Sequence, residues 1–271
     1  MSVDVAAARS SGRASPGWLV VVGQELRDLW VGGRGLPLTF AFSLLLGVLT
    51  YLTATNSALN FLEQRETVNL TVQIAIAVGA LLTLLVASDA ISGERERATL
   101  ESLLLTPVRR LDLTIGKLLA SLSLWLAAFA VSAPYVWFLA RGVGITGFAL
   151  ASELLVGTLL AICLASLGFV FSVFAGSNRV SLSLSLFLLL ALFAPTQLPS
   201  SAQHGWAGDA LLRVNPITAG EHYVGKILVD GHGWSEEVAW LVSPLVVAGV
   251  LGVCACVAGA RFLRLDGGFS R

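Results

Sequence analysis

Residues 67–88, TVNLTVQIAIAVGALLTLLVAS, carry no charged side chain, and five further stretches share that property: 36–55, 118–140, 154–178, 180–208 and 238–260. About 20 helical residues, at about 1.5 Å each, cross the ~30 Å hydrocarbon core of a bilayer. Every one of these stretches reaches that length. In lipid the backbone must satisfy its own N–H and C=O groups, so runs of this kind can only be helices. Charged residues make up 13% of the chain, against about 25% in soluble domains. The expectation is an all-α integral membrane protein with six spans, at 36–55, 67–88, 118–140, 154–176, 180–196 and 238–260. The segment AGSNR (175–179) supplies turn residues and a charge between the fourth and fifth spans. The fifth closes near Ala194, before Pro195.

Six spans put both termini on one side. That side holds thirteen of the seventeen Lys and Arg; Arg65, Arg141, Arg213 and Lys226 fall on the other. Positive charge marks the cytoplasmic face, so both termini are expected in the cytoplasm of a multi-pass cytoplasmic-membrane protein. Residues 1–15, rich in Ala, Ser and Arg, read as a disordered cytoplasmic tail, followed by one transmembrane domain over 16–271. No cleavable signal peptide is evident. Within 16–35, Trp18, Val22, Leu26, Leu29 and Trp30 recur at helical spacing with Glu25, Arg27 and Asp28 between them. This pattern predicts an amphipathic helix lying at the membrane interface.

Small residues recur every fourth position at Gly157, Ala161 and Ala165, with Gly168 close behind, and again at Ala248, Gly252, Cys256 and Ala260. Such stripes let helix backbones approach closely, within the chain or against a second copy. Ser177, Ser181 and Ser185 share one face of the fifth span, and Pro134 and Pro244 are candidate kinks. Cys163, Cys254 and Cys256 all lie in apolar runs and form neither a metal nor a disulfide pattern. Between the fifth and sixth spans, Trp206, Tyr223 and Trp234 suit the outer interface. Asn215–Pro216 is a turn signal between two short helical patterns, 206–213 and 218–229, expected on or dipping into the outer leaflet.

The densest polar stretch is Ser88–Lys117, SDAISGERERATLESLLLTPVRRLDLTIGK. Pinned between two apolar spans, it must face water. Asp89 or Ser92 can cap a new helix, with Glu94 and Glu96 in its first turns, where the positive helix end favours acids. Glu94, Arg97 and Glu101 line one face of such a helix, and Leu100, Leu103 and Leu104 another. Pro107 ends it. Lys117, at the inner boundary of the third span, is expected to snorkel to the headgroups. Setting topology needs positive charge; it does not need three glutamates and a leucine face.

This string resembles the signature of the type-2 family of ABC transporter permeases. Glu94, Thr99, Leu100, Glu101, Leu103, Leu104, Thr106, Pro107, Arg110, Gly116 and Lys117 match, and Ala98 stands where the family usually has glycine. The six-span layout and the Asn215–Pro216 segment resemble the family's small permeases as well. The resemblance implies a cytoplasmic coupling helix over Ile91–Thr106, a rigid lever that seats in a separate ABC ATPase subunit. The ATPase-coupling residues would be Glu94, Arg95, Glu96, Arg97, Thr99, Leu100, Glu101, Leu104 and Pro107. It further implies a second permease chain, and ATP and Mg on the partner ATPase, with no cofactor in this chain.

Other motifs weigh less. GEHYVGK (220–226) fits a phosphate loop in outline, but Ile227 stands where Ser or Thr would hold Mg. His204, His222 and His232 are irregularly spaced and read as polar loop residues, not a metal site. Asn69–Leu70–Thr71 is a glycosylation sequon abutting the second span. Glu153 reads as an acid at the outer start of the fourth span. No catalytic set is visible in the spans, and nothing suggests nucleic acid. The expected function is the permease of an ATP-driven exporter of an apolar or amphipathic substrate. The alternative is a membrane scaffold that passes ATPase motion to an outer partner; an intramembrane enzyme is disfavoured.

Overall fold

A computed structural model describes residues 17–55, 61–100, 105, 108–197, 208 and 212–263. The apolar runs are helices: α1 (Gly17–Trp30), α2 (Gly35–Thr55), α3 (Phe61–Asp89), α4 (Ser92–Glu96), α5 (Arg110–Ala140), α6 (Thr146–Phe174), α7 (Asn178–Phe193), α8 (Pro216–Leu228) and α9 (Val242–Phe262). Six of them, α2, α3, α5, α6, α7 and α9, have the length and hydropathy to cross a membrane. The protein is an all-α, six-span, multi-pass membrane protein. Successive spans run in opposite directions. We call the end carrying α4 the base and the end carrying α8 the crown.

The core lies where α3, α5 and α6 meet, and glycine makes that meeting possible. Trp125 of α5 is fully buried, and its indole N–H donates to Thr158 Oγ1 at 3.0 Å. Its ring lies between Gly79 of α3 and Gly157 of α6. A Cβ at Gly157 would stand 2.0 Å from the ring and one at Gly79 2.9 Å. The Gly157–Gly168 stripe is thus spent within the chain, since a Cβ at Gly168 would meet the Leu84 carbonyl and Ser88 of α3. The serine face of α7 turns to α3 too. Ser181 Oγ donates to the Ser88 carbonyl at 2.7 Å, and Ser88 Oγ reaches Ser185 Oγ at 2.7 Å. In the second stripe Gly252 lies toward Ser166, and Gly259, beside the stripe, backs closely onto Thr114.

The flanks fit the expected plan with three corrections. α1 forms as predicted, and its buried contact is a protein helix: a Cβ at Gly116 of α5 would meet Val21 at 2.5 Å, and Trp30 Nε1 donates to Ser123 Oγ at 3.1 Å. The first correction concerns α6. It begins at Thr146, not near 154, so Glu153 sits two turns inside the helix and is fully buried. It contacts the Ser132 hydroxyl, and its other carboxyl oxygen has no partner. No charge in TGFALAS marks that early start. The second concerns α5, which begins at Arg110 and not near 118, and carries Pro134 in its interior. The third concerns Pro244, which lies in the first turn of α9, where a missing N–H is tolerated and no kink is needed. The 3-10 turn Ala194–Gln197 closes α7 close to the expected position.

At the crown, α8 replaces the predicted 218–229 helix. Asn215 caps it by accepting from Ile217 N–H at 3.0 Å, and Pro216 fills the first helical position. Pro216, Ile217, Tyr223, Val224, Ile227 and Leu228 are buried, so α8 is tucked into the bundle. GEHYVGK lies inside this helix, where its N–H groups are already bonded and cannot cradle a phosphate. Of the predicted 206–213 helix, residues 206, 207 and 209–211 lie outside the described residues, as does His204.

Gly157→Leu should drive a side chain into Trp125. Overpacking of this kind costs about 1–3 kcal/mol or more. A lowered thermal midpoint in nanodiscs, partly restored by adding Trp125→Leu, is the expected result.

Candidate functional site

The polar stretch between α3 and α5 is not one long helix. α4 ends at Glu96, and the reason is local. Thr99 N–H bonds the Glu94 carbonyl at 3.0 Å and Ala98 N–H the Arg95 carbonyl at 3.2 Å. This 6→1 and 5→2 pair is a Schellman motif, which requires a left-handed residue after the helix. Ala98 is that residue, at φ +57°, the one described non-glycine residue with positive φ. Glycine is free there and alanine pays about 1 kcal/mol. The position where Ala98 replaces the family's usual glycine is therefore the reversal point of the backbone. The helix expected to run on from Ile91 is instead interrupted by a sharp turn at Arg97–Thr99. Glu101, Leu103, Leu104, Thr106 and Pro107 lie outside the described residues.

The start of α4 also differs from expectation. Neither Asp89 nor Ser92 caps it. Ser172 of α6 does, its Oγ accepting from Ile91 N–H and Ser92 N–H, both at 2.9 Å. The charged side chains that follow all reach neighbouring helices, although Glu96 and Arg97 stay exposed. Glu94 bonds Lys117 of α5. Lys117, 3% exposed, also donates to Glu25 of α1 at 2.7 Å. The expected snorkelling lysine is thus a buried ammonium between two carboxylates from different helices. Burial pushes the Glu94 carboxyl above its ordinary value while Lys117 pulls it down. Arg95 donates to the carbonyls of Ala175 and Val173, at the end of α6. Glu96 accepts from Asn178 N–H at 2.8 Å, at the start of α7. Arg97 shares Asp89 with Arg34, which stands just before α2. Leu100 buries its side chain with Ile91, Leu113 and Phe169. Thr99 and Leu105 are exposed, Leu105 by 74%.

Two ion clusters result, Arg34–Asp89–Arg97 and Glu25–Lys117–Glu94, and α4 or its flank contributes to each. Around them is a polar cavity of about 500 Å³, reached by Asp28, Gly33 and Ser121 as well. Sequence reasoning found Glu94 and Arg97 but not their partners Glu25, Arg34 and Lys117. The available signal was charge at one depth: Glu25, Arg34, Asp89, Glu94, Arg97 and Lys117 all lie near the base-side ends of their helices, and their signs complement. The described histidines go separate ways, His222 packing at a tilt against Trp240 with ring centroids 4.0 Å apart and His232 bonding Glu237 at 2.8 Å.

Two changes test this geometry. Lys117→Met should strand two buried carboxylates and destabilise the chain by about 3 kcal/mol, with Glu25→Gln plus Glu94→Gln recovering part of the loss in thermal unfolding. Ala98→Gly should relax the left-handed position and raise stability by about 0.5 kcal/mol, the backbone relief exceeding the added unfolded-state entropy.

A family model described as "ABC-2 family transporter protein" matches residues 19–264. No curated protein matches the chain.

Proposed function

Because the chain belongs to the ABC-2 family of transporter proteins, we propose that it is the permease of an ATP-driven exporter, powered by a separate ATPase. Family membership makes it a membrane component of an ABC transporter, and ABC-2 permeases associate with an ABC ATPase. The finer reading has the base in the cytoplasm, two permease chains beside two ATPases, and ATP and Mg held by the ATPases. The excess of Lys and Arg at the base supports that orientation.

One observation carries the reading. The segment around α4 is tied by side chains to six helices at the base: to α1 and α5 through Glu94 and Lys117, to the α6–α7 junction through Arg95 and Glu96, and to α3 and the start of α2 through Arg97 and Asp89. A push on this segment loads the whole base at once. We assign two roles within the coupling set. Thr99, exposed after α4, docks on the ATPase together with Glu101, Leu104 and Pro107 of the set, and the exposed Leu105, outside that set, joins them in this tip. Glu94, Arg95, Glu96, Arg97 and Leu100 anchor the tip to the spans. The spans offer apolar surface with scattered Ser and Thr, which supports an amphipathic substrate.

Leu105→Asp is expected to weaken co-purification with the ATPase by about tenfold, equivalent to ~1.4 kcal/mol. Arg95→Ala should leave co-purification intact and lower transport-coupled ATP hydrolysis by about tenfold. Wild-type association and coupling in both variants would overturn the reading.

A further inference from the structure

We propose that Glu221 is the anionic group of a binding subsite for an organic cation, an ammonium on a compact apolar body, at the crown of the bundle. The idea that the bound cation is cargo rests on the transporter reading above; the binding itself is a property of this chain. Glu221 stands on α8 between two spaces. On one side is a narrow apolar crevice among Ile76, Val156, Leu160, Phe193 and Ile217, with Gln73 at its edge. On the other is an open cavity of about 390 Å³, lined by Thr196, Leu212, His222, Lys226, Val229 and Asp230. That volume falls in the range of small-molecule sites, about 300–1,000 Å³.

Among the described residues Glu221 makes no hydrogen bond and no ion pair. The neighbours that could serve it are committed elsewhere. Lys226 gives its ammonium to Asp230 at 2.8 Å, and the Gln73 amide donates to Asn69 at 3.2 Å. The open cavity therefore holds two carboxyl groups and one ammonium, a net charge of −1 when Glu221 is ionised and His222 neutral. Burial against the apolar crevice pushes the Glu221 carboxyl up to about 7. A carboxylate partly removed from water without a partner is costly, and a ligand cation would supply what the protein does not. The complement is an organic cation and not a bare metal ion. Ca and Mg need about six or more oxygen ligands, whereas a weakly hydrated ammonium needs one carboxylate and an apolar wall. Leu212 and Val229 supply that wall.

The experiment uses the full chain in phosphatidylcholine nanodiscs, with benzyltrimethylammonium as probe and phenylacetate as its anionic counterpart. Wild type should bind the ammonium saturably and phenylacetate weakly. Glu221→Gln should weaken the ammonium by about tenfold and Glu221→Asp by about threefold or less. In unmodified protein, the ammonium should protect the Glu221 peptide from carbodiimide labelling, a readout that needs no variant to fold. Equal affinity in wild type and Glu221→Gln, or no protection, would overturn the site. A separate arm adds the ATPase. Binding through Glu221 without stimulation of ATP hydrolysis would defeat the cargo reading and leave the site standing. Stimulation that survives Glu221→Gln would defeat the site and leave the transporter reading intact.

Discussion

A single ammonium group, that of Lys117, holds the base of this protein together. It is buried at the end of a membrane span, a place where an unpaired charge costs several kcal/mol. Two carboxylates meet it there, one from α1 and one from α4. Each comes from a segment too short to be stable alone, so the lysine gives both a fixed seat. The cost of burying the charge is offset only if both partners stay, and this makes α1, α4 and α5 move together. Asp89 repeats the arrangement with the signs reversed, one carboxylate serving Arg34 and Arg97.

The upper part of the molecule relies on shape in place of charge. Lipid gives helices no hydrophobic reason to associate, so α3, α5 and α6 adhere by close contact. Two glycines open a slot and Trp125 fills it. The serines of α7 then hydrogen-bond across to α3, whose own Ser88 answers both. The result is a central trio of helices, with α2, α7 and α9 presenting exposed apolar side chains such as Phe40, Phe187 and Val253 outward.

Much of this was legible in the sequence, because a membrane imposes a simple code. The spans followed from charge-free length. The amphipathic α1 followed from Trp18 through Trp30, and the Gly157 and Ser181 stripes marked real contacts. What the sequence hid were pairings across distance and backbone signs. Lys117 and Glu25 are 92 residues apart, and no periodicity joins them. The positive φ of Ala98 is invisible because alanine is the residue least suggestive of a turn. Glu153 was misread for a simple reason: the span was measured from the last charge, and the helix had already begun two turns earlier. The type of each element was readable from local composition, whereas its seating depended on groups from other helices.

The contacts of Arg95 and Glu96, at the C-terminal end of α4, have a mechanical consequence. Arg95 holds the carbonyl end of α6, where a helix presents partial negative charge, and Glu96 holds the amide end of α7, where it presents partial positive charge. The two grips point to opposite poles of adjacent helices from consecutive residues. Twisting α4 about its own axis would part both together. Translating it would carry both along. Rotation of α4 therefore works against two contacts at once, while its displacement is tied to the end of α6 and the start of α7.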